Sequence, residues 1–156
     1  GNAVNIVPET AVVRLGARAP DGASADWAMK ALDAELKSVL ERDGISGEVH
    51  GGFYRPPKPR NAAQADLFDA VTATGKALNL EIEFVDTGGV CEGNNVFAAG
   101  VPNIDTLGVR GGLIHSHEEF FCVDSLSERA GLSALILNRL ADGRIDAAAI
   151  QAKMRG

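Results

Sequence analysis

His115 and His117 close the apolar run Gly112-Leu113-Ile114 and lead into Glu118-Glu119. Imidazoles and carboxylates ligate metals and move protons, and α/β sheets place ligand chemistry where strands end beside Gly-rich turns. The spacing alone decides little. Residues two apart in extended chain point to opposite faces and cannot share one metal, and the run is not an HExxH pair on one helical face. A ligand and a packing histidine both stay open at position 115. The segment Thr87-Gly88-Gly89-Val90-Cys91-Glu92-Gly93-Asn94-Asn95 offers backbone N–H groups that could hold an anion, as turn nests do. Equally, it reads as a tight strand-to-helix turn capped by Asn. It has neither GxGxxG nor a phosphate-loop Lys, so nucleotide binding is disfavoured. Glu92 is the turn's one carboxylate and reads as a solvated acid. Arg14, Arg18 and Arg55 sit on or beside strand patterns; an Arg fork grips a carboxylate bidentately, but arginines also decorate solvated edges.

The elements that must position these groups divide at about residue 60. Residues 1–60 read strand, helix, strand. Val4 to Arg18 is extended, with Pro8 at an edge or bulge, and period 2 puts Val13, Leu15 and Ala17 on one face. Ser24 is the expected cap of a helix whose stripe is Met29, Leu32, Leu36, Val39 and Leu40. Asp43-Gly44 ends it, Ile45 to Tyr54 returns as a strand, and Arg55-Pro56-Pro57-Lys58-Pro59 cannot join a ladder, so it reads as a connection. Residues 61–156 alternate further. Asn61 caps a helix that buries Leu67, Phe68, Val71 and Leu78. Strands are expected at Leu80–Val85, Ile104–Val109 and Leu113–His115, with a short helix at Val96–Ala99. Asp124 or Ser125 starts a last helix, where Ser125 and Glu128 have capping-box spacing; its apolar stretch from Ala130 to Leu140 suggests a helix packed between layers. Alternating strands and helices argue for an α/β sheet. A β-α-β unit of about 60 residues buries little by itself, so the first segment needs cover.

The 156 residues carry 21 acidic against 15 basic side chains, a net charge of −6. No electrostatic case for nucleic acid or an anionic membrane follows from that balance. No run of about 18 apolar residues suggests a transmembrane helix, and no secretory signal pattern is visible. Cys91 and Cys122, the only cysteines, form no framework and read as reduced thiols in a cytoplasmic protein, Cys122 buried and inert in its apolar run.

The order Gly88-Gly89 through Asn95, Val101-Pro102-Asn103-Ile104-Asp105-Thr106-Leu107-Gly108, Ile114-His115-Ser116 with Glu119, and Asp124-Ser125-Leu126 resembles the C-terminal catalytic region of the zinc-dependent aminoacylase and carboxypeptidase family. Glutamate carboxypeptidase, acetylornithine deacetylase and succinyl-diaminopimelate desuccinylase are members. Val4-Asn5-Ile6-Val7-Pro8 with Ala17-Arg18 is similar to the strand opening the second half of that family's lid. The resemblance implies an α/β chain: residues 1–60 as half of a ferredoxin-like lid that dimerises, and 61–156 as the C-terminal part of a mixed-sheet catalytic domain. It implies a dinuclear zinc hydrolase, cobalt being a possible substitute, that uses metal-activated water to cleave an amide bond in N-acyl amino acids or small peptides with a free carboxylate. His115 is then a metal ligand, Asn5 contacts the substrate's carbonyl or carboxylate, Arg18 and Arg55 hold its α-carboxylate, and Gly88 and Gly89 line the pocket. The family's His-x-Asp motif, Glu-Glu pair and bridging aspartate have no counterpart here, so the expectation is a fragment that begins midway through the lid, with no catalytic base of its own, inactive alone and prone to pair through the lid. Glu92 stands where the family has Asp. The alternative is a non-catalytic dimeric scaffold on the same fold.

Overall fold

The computed structural model describes residues 3–155. Helix α1 (Gly22–Leu40) is capped by Asp21 rather than Ser24: the Asp21 carboxylate accepts from the Ser24 N–H at 2.7 Å. That hydrogen bond holds the Asp21 carboxyl below its ordinary range. Of the expected stripe, Met29, Leu32, Leu36 and Leu40 are half-buried and Val39 is exposed, while Ala25 is the helix's buried residue. The chain leaves α1 through Gly44 at φ +76°, a conformation glycine adopts without a Cβ penalty.

Neither flanking strand forms. Residues 4–18 and 45–54 make no ladder, and Val13 and Leu15 stay largely exposed. The alternating pattern is present, but a strand exists only through its partner's hydrogen bonds, and no described segment supplies one. The expected strands at 80–85, 104–109 and 113–115 are corrected for the same reason. Alternation survives in the first of them as burial: Leu80, Ile82 and Phe84 turn inward while Glu81 and Glu83 face out.

Helix α2 (Ala62–Lys76) is capped by Asn61, as expected, its side chain accepting from the Gln64 N–H at 2.9 Å. Val71 is buried and Leu67 and Phe68 are half-buried, but Leu78 falls past the helix end and is exposed. The turn after α2 brings Ile82 against Gly75, where a Cβ would lie 2.6 Å from Ile82 Cγ1. Phe84 stacks on Phe68 with ring centroids 3.9 Å apart.

Helix α3 (Glu92–Ala98) begins four residues earlier than expected. The one sheet among the described residues is a two-stranded antiparallel pair, β1 (Gly111–Gly112) and β2 (Phe120–Phe121), with Gly111 opposite Phe121. Of its apolar side chains, helix α4 (Ser125–Ala141) buries Leu132 and Ile136 and leaves Leu126 and Leu137 exposed, so it is covered on one side rather than between layers. The expected capping box is absent. Ser125 Oγ donates to the Cys122 carbonyl and accepts from the Arg110 N–H, and Glu128 pairs with Arg110 and Arg129. Cys122 is half-buried.

A further helix, α5 (Ala147–Ala152), follows a Gly143 turn and is capped by Asp146. The core joins Ala63 and Val71 of α2, Leu132 and Ile136 of α4, Ile145, and Ile150 of α5, with Leu80, Ile82, Phe84 and Ile104 packed against it. Arg139 of α4 donates to Thr74 Oγ1 of α2 at 2.9 Å. The described residues thus form a helical core with a small antiparallel sheet.

Candidate functional site

The Gly-rich turn gathers side chains from distant parts of the chain. Arg18 Nε donates to the Gly88 carbonyl at 2.6 Å, and a Cβ on Gly88 would stand 2.7 Å from Arg18 Cδ. Glycine at position 88 is what lets the arginine approach. Arg55 forms an ion pair with Glu92, so Glu92 is paired rather than merely solvated, although its side chain stays exposed. Within the turn, Thr87 Oγ1 accepts from the Gly89 N–H at 3.2 Å.

The capping of α3 shows how this turn is built. Cys91 is its N-cap: the thiol sulfur accepts from the Gly93 N–H at 3.3 Å, and Asn94 Oδ1 accepts from the Cys91 N–H at 3.1 Å. A tight turn is therefore in place, closed by a capping box in which Cys91 is the cap and Asn94 bonds back to it. Sulfur is a weak acceptor compared with the hydroxyls and carboxylates that usually cap helices, and a second bond holds it in position. The Cys91 thiol donates to Asp105 Oδ2 at 3.1 Å.

Asp105 Oδ2 also accepts from the Lys58 ammonium, whose side chain is 17% exposed. Partial burial pushes the Asp105 carboxyl up, but the Lys58 and Cys91 hydrogen bonds and the Lys58 charge outweigh it, and the group titrates below its ordinary value. Asn103 completes the cluster. Its amide donates to the Gly93 carbonyl at 3.0 Å, and its backbone exchanges two 2.9 Å hydrogen bonds with the buried side-chain amide of Gln64. Asn94, buried, donates to the Pro56 carbonyl at 2.8 Å.

Sequence reasoning missed Lys58, Gln64, Asn103 and Asp105 as side chains of this site, and within the Gly-rich turn it gave the Cys91 thiol no part in the cap. One signal was available for Lys58. Proline fixes φ at about −65°, and a proline-rich extended chain repeats about every three residues. Arg55 and Lys58 then share one side of the 55–59 segment, and both do reach the 91–105 region. This segment, read as a mere connection, is stitched to the site.

Of the expected site residues, Arg18 meets Gly88, and Arg55 meets Glu92 four residues further along the same segment. Asn5 lies exposed in a turn, and no hydrogen bond among the described residues ties it to the Gly-rich turn. His115 is not on a strand. It sits at φ +67° in the 113–119 loop between β1 and β2, exposed, with its backbone N–H donating to Glu119 Oε2 at 3.2 Å. Among the described residues, no group of three or more His, Cys, Asp or Glu side chains is placed to hold a metal ion. A catalytic zinc takes three protein ligands. His115 can offer one of them, so the side chains described do not fit a metal centre by themselves.

A shallow cleft of about 470 Å³ opens beside Arg18, lined also by Ser24 and the exposed Trp27 of α1. No helix among the described residues is long and apolar enough to cross a membrane.

The helical core and capped turn leave the class of protein to be fixed by comparison. The sequence model of peptidase family M20/M25/M40 matches residues 5–139, a span that contains the Gly-rich turn, both arginines and His115. The chain belongs to peptidase family M20/M25/M40. Neither the comparison with curated proteins nor that with solved structures gave a match.

Proposed function

We propose that this chain supplies the substrate-carboxylate grip of a metal-dependent hydrolase acting on an amide bond in N-acyl amino acids or small peptides. The observation that carries the reading is convergence. Arg18 and Arg55, 70 and 37 residues from their partners in sequence, both bond to the turn between Gly88 and Glu92. Two guanidinium groups beside backbone N–H groups suit a planar anion. On this reading Glu92 holds Arg55 in place until a substrate carboxylate competes for it, and Arg18 spans the turn to orient the acyl-amino acid.

In the same reading residues 1–60 act as the lid and 61–156 as part of the catalytic domain of a homodimeric zinc enzyme. His115 is the one ligand this chain offers, and Asn5 and Gly89 contact substrate. Membership of a peptidase family and the ion pairs that join the two segments at the turn support it.

The test is made in the protein that carries this chain. Arg55→Ala and Arg18→Ala should each lower kcat/KM for an N-acyl amino acid by about tenfold or more, the cost of a lost charge-assisted carboxylate contact. The matching carboxamide should be affected far less. Equal losses on acid and amide would assign both arginines a structural role and refute the proposal. His115→Ala should also lower bound zinc, and unchanged zinc content would remove it from the ligand set.

A further inference from the structure

Three contacts in series join the proline-rich segment to the turn. Arg55 pairs with Glu92 at the start of α3, the Pro56 carbonyl accepts from Asn94 at 2.8 Å, and Lys58 pairs with Asp105, whose same oxygen takes the Cys91 thiol. The first two grip α3 directly. The third reaches it through Cys91, the residue that caps it. The spacing of Arg55, Pro56 and Lys58 is fixed by prolines that flank and separate them, so the segment behaves as a stiff rod.

Lys58 and Asp105 differ in character from the exposed ion pairs of this chain. The Lys58 side chain is mostly buried, and Asp105 carries two hydrogen bonds on one oxygen. A buried ammonium left without its carboxylate is costly, so the pair stands or falls as a unit. Gly93 leaves the room for it: a Cβ there would lie 2.9 Å from Asp105 Oδ2 and 2.6 Å from Asn103 Oδ1. Exposed surface pairs contribute little to stability, whereas this one is tied to the geometry of the only helix that starts at the Gly-rich turn.

We infer that Lys58 and Asp105 are positioning residues: acting through Cys91 and the stiff 55–59 segment, they set the angle between the Gly88–Glu92 turn and Arg55, and so the selectivity for a carboxylate. The inference rests on the carboxylate reading above. Neither residue touches substrate. Lys58 is held away from it by Asp105, and its charge is spent inside the protein.

The experiment uses the full chain, isotope-labelled, with N-acetyl-L-alanine and N-acetyl-L-alaninamide as probes. The amide signals of Gly88, Gly89 and Glu92 report the turn, and the ratio of the two affinities reports carboxylate selectivity. Lys58→Met should move those three signals and lower the ratio by about tenfold, the scale of one charge-assisted contact. Asp105→Asn, which keeps shape and an acceptor but strands the Lys58 ammonium, should do the same, and Lys58→Met combined with Asp105→Asn, which strands no charge, guards against a single variant that does not fold. Lys58→Arg should restore part of the ratio. Variants that lose thermal stability yet leave the turn signals and the ratio unchanged would overturn the positioning role while Arg55→Ala still lowered the ratio. An unmodified chain with no preference for the acid, and an Arg55→Ala variant no different from it, would refute the carboxylate reading and the positioning role with it.

Discussion

Gly93→Ala isolates the packing of the polar cluster because the ordinary effect of the substitution has the opposite sign. Gly93 lies inside α3, where φ is not positive, and replacing a helical glycine by alanine usually stabilises by about 0.5–1 kcal/mol. Here the new Cβ would meet Asn103 Oδ1 at 2.6 Å, Asp105 Oδ2 at 2.9 Å and Cys91 Sγ at 3.2 Å. The first two separations lie well inside van der Waals contact, and neither atom is the free end of a flexible chain. Asn103 is held by Gly93 and Gln64, and Asp105 by Lys58 and Cys91. Making room costs the strain typical of overpacking, about 1–3 kcal/mol, and breaks at least one of those hydrogen bonds. Gly131 provides the control. It is an exposed residue of α4 with nothing within 4 Å of a new Cβ, so Gly131→Ala should show the ordinary gain. The ordinary gain is common to both, so the two substitutions should differ by the overpacking cost of about 1–3 kcal/mol, read as a lower urea midpoint for Gly93→Ala than for Gly131→Ala at constant m. A Gly93→Ala chain as stable as Gly131→Ala would refute the close packing of Asn103 and Asp105 on α3, and the clasp built upon it.

Asp105 gives a pH signature. Its carboxyl is held below the ordinary value of 3.8 in the folded chain, so its contribution is present above that pH and is lost as pH falls through the lowered value. Asp21 and Asp142 are held low as well and act in the same sense. The expected result is a smaller loss of urea midpoint below about pH 4 in Asp105→Asn than in the unmodified chain; parallel curves would show that the ion pair does not couple to folding. Leu132, fully buried between α4 and the α2–α5 layer, should cost about 2–5 kcal/mol when cut to Ala, whereas the half-exposed Leu126 should cost far less. Equal effects in equilibrium unfolding would place the core elsewhere.

The sequence by itself determined the local features. Asn61 caps α2 because an Asn side chain satisfies a free helix N–H wherever the following residues are helical. Gly44 and the Gly-rich turn mark reversals because only backbone geometry is at stake. The ordered motifs from Gly88 to Leu126 carried the family, and with it the candidate roles of Arg18, Arg55 and His115. Strands were a different matter. The alternation of Val13, Leu15 and Ala17, or of Leu80, Ile82 and Phe84, states which face a strand would bury, but not whether a partner lies alongside, and pairing is a property of two segments. Ser125 shows the same limit for a cap. Its spacing to Glu128 is right, yet Arg110 and Cys122, brought near by the chain's path, take its hydroxyl and leave the helix uncapped by it. The site followed suit. Single residues were legible as arginine, glycine and histidine, while Lys58, Asp105 and Cys91 gained their meaning only when segments 33 and 14 residues apart met on one carboxylate oxygen. An ion pair's worth depends on burial and on what else shares its atoms, and both are set by the tertiary structure alone.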